Sequence, residues 1–149
     1  MKLLYTFLLT LVFAATAYTV GGLSSNWGEI VVENLETGKS YDLNKYSGSP
    51  FTIVNNFKSD VDLQLKVLKP EPNEIKPGYE AIPDITWVKL EKAEIKVGAS
   101  KKEVVNVKLT IPDEQQYAGK KYHVWIWTYT SGQAMGVGLK SRILFSVKG

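Results

Sequence analysis

The sequence predicts an all-β chain folded as an antiparallel sandwich of about seven to eight strands. Three observations carry that expectation. From Trp27 onward apolar and polar residues alternate at period two, as in Val61-Asp62-Leu63-Gln64-Leu65-Lys66-Val67. Strand-like runs recur at a spacing of roughly ten residues, divided by turn-forming Gly, Pro, Asn and Asp. No stretch repeats its apolar residues at helical spacing.

The first residues read as an address. Lys2 is a short positive region, Leu3 to Ala15 is apolar apart from Tyr5, Thr6 and Thr10, and Ala15-Thr16-Ala17 offers small residues for cleavage after Ala17. Residues 1–17 are therefore expected to be a secretory signal peptide, 18–26 an N-terminal extension and 27–149 the sandwich. An uncleaved anchor is the competing reading, because Leu3 to Leu23 carries no charge and a spanning helix needs about 20 residues. The expected location is exported: periplasmic, cell-surface or extracellular. The membrane enters as a partner only if the leader is retained.

Glu29 to Glu33 begins the strands and the Thr37-Gly38 turn follows. Phe51 to Asn55 and Val61 to Val67 come next. Pro70 to Pro83 holds four of the six prolines together with Gly78, which makes it a long connection. Trp87 to Leu90 and Ala93 to Val97 are short strands, and Gly98-Ala99-Ser100 turns the chain. Val105, Val107, Leu109 and Ile111 alternate with polar residues until Pro112. Tyr122 to Thr130 and Leu139 to Val147 close the sequence, joined across Ser131-Gly132. A closed barrel is the alternative, disfavoured by the unequal strand lengths and the proline-rich connection.

Composition excludes several functions. Of 149 residues, 44% are hydrophobic and 22% charged, which is a globular balance. A net charge of +3, spread along the chain, lacks the concentrated basic face that nucleic acid requires. There is no cysteine, one histidine and, besides Met1, one methionine, so no cofactor or metal is expected. His123 has no serine or acid at a recognisable spacing, and neither a nucleophile elbow nor a phosphate loop occurs. The chain is read as a non-enzyme.

Three stretches carry a resemblance: Pro50 to Asn56 leading into the Val61 strand, Trp87 to Ser100, and Val105 to Tyr122 with Ile111-Pro112-Asp113 and Tyr117-Ala118-Gly119. In order and content they resemble the immunoglobulin-like and fibronectin-III-like domains of exported bacterial and archaeal proteins. The resemblance implies an immunoglobulin-like sandwich with an exported, non-catalytic role. The Cys pair and core Trp arrangement of antibody domains are missing. Asn34-Leu35, Gly38 and the Phe51 strand also loosely resemble TasA-like fibre subunits, in which case Tyr18 to Val32 is a segment to donate to a neighbour.

Two groups of residues are singled out. Tyr117 and Tyr122 flank the start of a late strand, where a tyrosine corner is expected, and Gly119 between them is expected at positive φ. In the strand Tyr122 to Thr130, Val124 and Ile126 share one face, and His123, Trp125, Trp127 and Tyr129 share the other. Arg142 and Leu144 of the last strand extend this second face if the strands pair. Three uses compete for it. The Pro70 to Pro83 connection or the N-terminal segment covers it as a second small core. Alternatively it is an interface for another envelope protein or for copies of the chain itself. In the third use it is a platform for glycan, with Gln133, Lys140, Arg142 and His123 as polar neighbours.

Overall fold

The structure, a computed structural model, describes residues 22–132 and 136–149. The expected signal peptide, residues 18–21 and Gln133 lie outside the described residues. Within them the chain is nearly all β, with twelve strands. These are β1 (Leu23–Ser25), β2 (Glu29–Leu35), β3 (Ser40–Asp42), β4 (Thr52–Asn55), β5 (Val61–Leu68), β6 (Glu80–Ala81), β7 (Val88–Leu90), β8 (Glu94–Val97), β9 (Lys102–Val104), β10 (Val107–Thr110), β11 (Lys121–Thr130) and β12 (Gly138–Val147).

One layer is a six-stranded sheet in the order β2-β12-β11-β5-β8, with β6 beside the start of β11. Two three-stranded sheets, β1-β4-β9 and β3-β10-β7, supply the other side of the core. The alternation read from sequence decides what faces inward. Val61, Leu63 and Leu65 of β5, Val124 and Ile126 of β11 and Ile143 and Phe145 of β12 form one buried cluster with Phe51, Ile53, Tyr41 and Leu109. Each such side chain contributes about 1.5–3 kcal/mol by leaving water.

Two pairings depart from an antiparallel sandwich. Strand β2 runs parallel to β12, and β6 runs parallel to β11. The β2–β12 ladder carries a bulge: Val32 lies opposite Phe145 and Leu35 opposite Val147, so Glu33 and Asn34 share the place opposite Ser146. Asn34 absorbs the extra residue at φ 59°, and its N–H donates to Ser146 Oγ at 2.9 Å. Gly119 has φ 76° and its N–H donates to Val147 O, closing the turn into β11.

Strands β7 and β8 fall where the sequence predicts short strands, while β1, β3, β6 and β9 were not legible. Strand β1 lies in the expected extension, where it pairs with β4 from Leu23↔Asn55 to Ser25↔Ile53. Next to it Trp27 is buried, with Nε1 donating to Ser49 O and its ring 4.9 Å from Phe51. The Val105 to Ile111 alternation holds as a burial pattern but not as one strand. The chain leaves β4's sheet at Val104 and joins β3 and β7 at Val107. A single helical turn, α1 (Leu43–Tyr46), is capped by Asp42, whose Oδ1 accepts from Asn44 N. Four residues are too few to display a helical period, which is why the sequence hides it.

Candidate functional site

The outer face of the six-stranded sheet is built by register. Trp125 lies opposite Arg142 and Leu68, Trp127 opposite Lys140 and Lys66, and Tyr129 opposite Gly138 and Gln64. Because β11 alternates strictly, its Val124 face fills the core while the aromatic column stands on the far side.

The column is not uniform. Strand β5 leaves β11 at the Trp125↔Leu68 pair, and the Pro70–Pro83 connection then crosses the outer face as a strap and returns as β6 opposite Tyr122 and His123. Its middle is tied down at His123: the Lys76 N–H donates to His123 Nδ1 at 3.2 Å, and Ile82 N donates to His123 O at 3.0 Å. Two ion pairs tie its sides, Lys76–Glu29 at 2.7 Å and Lys140–Glu74 at 2.6 Å. His123 and Leu144 are 0% exposed. In this structure neither side chain is open to contact. The periodicity places both on the outer side, and the Pro70–Pro83 connection, one of the two covers the sequence offers, lies over His123.

After His123 the column continues as half-buried side chains. The Trp127 and Tyr129 rings stack at 5.8 Å with an interplanar angle of 22°. Tyr129 donates from its hydroxyl to Gln64 Oε1 at 2.7 Å, and Lys66 Nζ lies 5.5 Å from the Tyr129 ring centre. Trp125 carries the Arg142 guanidinium at 4.7 Å and Lys140 Nζ at 5.5 Å. Cations and aromatic faces thus alternate across three strands, an arrangement that favours both partners electrostatically. Arg142 is also held by Glu29 at 2.9 Å. Hydrogen bonds first from Lys76 and then from Arg142 keep the Glu29 carboxyl below its ordinary range. Lys140 does the same for Glu74.

His123 is the one buried base of this face. Burial first, and the Arg142 charge second, push its pKa down from 6.5 to about 4. Since Nδ1 accepts a hydrogen bond, the neutral ring carries its proton on Nε2, and among the described residues that atom has no partner. Among the described residues neither nitrogen is bonded to a nucleophile or a carboxylate. Among the described residues no cluster of His, Asp and Glu has the makings of a metal site.

Tyr117 and Tyr122 are brought together, with ring centres 6.4 Å apart, in a cluster with Trp87 and Phe145. The rings pack edge to face at the start of β11. Among the described residues neither hydroxyl makes the backbone bond of a tyrosine corner.

Sequence reasoning missed Gln64, Lys66, Glu74, Lys76 and Gly138. Gln64 and Lys66 were visible as outward residues of their own strand, and only the β5–β11 pairing assigns them to this face. Glu74 and Lys76 lie in the strap, where no periodicity places a side chain.

Comparison with known proteins now bears on the fold. No protein-family model matches the chain, and no curated protein matches it significantly. Solved structures do. The seventh PapD-like domain of human CEP192 has a TM-score of 0.59 at 12% identity, over 85% of this chain and 86% of that one. The chain has a PapD-like, immunoglobulin-like β-sandwich fold. The periplasmic chaperone SfaE matches with a TM-score of 0.57 at 8% identity, over 86% of this chain. A Bacteroides ovatus protein provisionally assigned to carbohydrate binding has a TM-score of 0.61 at 18% identity, over 86% of this chain. The chain spans 59% of the SfaE chain and 37% of the B. ovatus chain. Among the described residues no helix is long and apolar enough to cross a membrane.

Proposed function

We propose that this chain is an exported, non-catalytic sandwich module that docks a partner protein of the cell envelope, or a second copy of itself, on the outer face of its six-stranded sheet. The observation that carries this reading is the half-open Trp127–Tyr129 stack, bracketed by Lys66 and by Lys140, the residue that also ties the strap through Glu74. Large aromatic rings beside cations dominate the energetic centre of protein interfaces, and keeping them half-buried on a rigid strand limits the entropy lost on docking. The fold supports the reading, since a sandwich acts through sheet faces and edges. Export rests on the leader pattern of residues 1–17.

A glycan platform is the second reading. It is favoured by the 22° angle between Trp127 and Tyr129, which presents two nearly parallel rings to sugar C–H faces, with Gln64 as a polar neighbour. The likeness to the B. ovatus protein adds to it at the level of fold. The fibre reading is less favoured. Leu23–Ser25 and Glu29–Leu35, which lie in or overlap the segment offered for donation, already pair with β4 and β12 of their own chain.

The test places a photo-reactive residue at Tyr129 and, as control, at Lys108 on the opposite sheet, in cells exporting the protein. The expected result is protein cross-links from position 129 alone, abolished by Trp127→Ala. Equal cross-linking from both positions overturns the docking reading. Retention on polysaccharide that Trp127→Ala removes, without protein cross-links, replaces it with the glycan reading.

A further inference from the structure

We propose that the Pro70–Pro83 strap is an acid-released cover, latched by the bond from the Lys76 N–H to His123 Nδ1, and that its release uncovers His123 and the strap-side edge of Trp125. The geometry of the latch is directional. Nδ1 holds the strap only while it presents a lone pair, because Lys76 offers a backbone N–H. A proton added to the neutral ring goes to Nδ1, since Nε2 already bears one. The two N–H groups then face each other across the former bond, and the acceptor is gone.

The surroundings decide when this happens. Lys76 on the strap and Arg142 on β12 oppose a charge on the ring, while Glu74 on the strap and Glu29 on β2 favour it. Lys140 on β12 is committed to Glu74 and Glu80 on β6 to Lys120. With burial the largest influence, the ring stays neutral well below its ordinary range, and a charged ring needs water. Water reaches it most cheaply by lifting the strap. Besides the two ion pairs and the Ile82 N–H bond to His123 O, the strap contributes no strand until Glu80–Ala81, and its bonds at Glu74 and Tyr79 close turns within itself. Segments held by few bonds open below the global unfolding free energy. Glu29 and Glu74 keep their charges to lower pH than ordinary carboxylates, so the two ion pairs act as hinges after the latch has gone. What binds the uncovered stripe rests on the docking reading; the latch does not.

The chain has one histidine, which makes the test unambiguous. Amide exchange protection factors of Lys76 and Ile82 are measured by NMR from pH 7 to 3.5, beside those of Val124 and Ile126 in β11. The imidazole titration is followed in the same samples. The expected result is at least a tenfold loss of strap protection, with a midpoint matching the imidazole titration, while β11 stays protected. Strap protection that persists until β11 also exchanges, or that falls at a pH unrelated to the imidazole, overturns the proposal. His123→Gln, whose amide oxygen can accept from Lys76 without titrating, is expected to keep the strap protected at pH 4. Loss of protection at the wild-type midpoint in a folded variant also overturns it. These readouts involve no partner, so a failed docking reading leaves them untouched.

Discussion

The Trp127 indole occupies the space where a side chain at Gly138 would stand: a Cβ at residue 138 would lie 2.5 Å from Trp127 Cη2 and 2.8 Å from Cζ2. Register places Gly138 opposite Tyr129, so the indole leans diagonally across β12 toward the same residue pair on which its stacking partner sits. The missing side chain is what lets Trp127 lie in line with Tyr129. Gly138→Ala is expected to tilt the indole away and break the stack while leaving the core untouched. Near-UV circular dichroism should lose intensity, and docking or glycan retention should fall at least tenfold. The stability change should stay within about 1 kcal/mol, the range for a local repacking at a half-exposed site. An unchanged spectrum would show that the stack tolerates a Cβ.

Asn55 is expected to be one of the costliest polar positions. It is fully buried, and its Nδ2 donates to Ser59 O, Val97 O and Gly98 O at 2.9, 3.0 and 3.1 Å while Oδ1 accepts from Phe57 N. One side chain thus pins the turn after β4 to the end of β8. Asn55→Leu leaves these carbonyls without donors in a dry site and should cost about 1–3 kcal/mol or more. Urea denaturation at pH 7 measures it. A loss below about 0.5 kcal/mol would mean that water replaces the amide.

Stability is expected to depend on pH through His123. Its pKa is 6.5 in the ordinary state and about 4 in the fold, so between those values the unfolded chain binds a proton that the folded chain refuses. The contribution is therefore complete above about pH 6.5, declines as pH falls and is gone below about 4. Its full size is about 3 kcal/mol, from the free-energy equivalent of a pKa shift. Opening of the strap stops the decline early, because it hydrates the ring without unfolding the sheets. Glu29 and Glu74, with lowered values, act with the same sign in a lower window, below the ordinary 4.5, and solvent weakens them. Denaturation midpoints at pH 7, 5.5 and 4 should fall for the wild type and stay level to pH 5.5 in His123→Gln.

The Trp87–Tyr117–Tyr122–Phe145 cluster is expected to act by packing. Trp87 and Tyr117 lie at 4.7 Å and Tyr122 and Phe145 at 5.5 Å. Tyr117→Phe and Tyr122→Phe should each change stability by less than about 0.5 kcal/mol, while Tyr122→Ala should cost about 3–5 kcal/mol. A cost above about 1 kcal/mol for either Phe variant would instead support a hydrogen-bonded tyrosine corner.

By itself the sequence determined the layer architecture and the division of faces. Period-two alternation is a local property, and it named the inward residues Val61, Leu63, Val124 and Ile126 and the outward column beginning at His123. It also marked Gly119 for positive φ and the Pro70–Pro83 segment as a connection. The tertiary structure alone decided what lies across from what. Strand pairing joins residues far apart in the chain, so Lys66, Arg142 and Gly138 reached the aromatic column only through register. The switch of the Val105 to Ile111 run between two sheets preserved its alternation and so left no trace in it. The fate of His123 was decided by a strap whose path follows a handful of hydrogen bonds and ion pairs rather than any repeat. Those contacts turned one continuous outward stripe into a covered half and an open half.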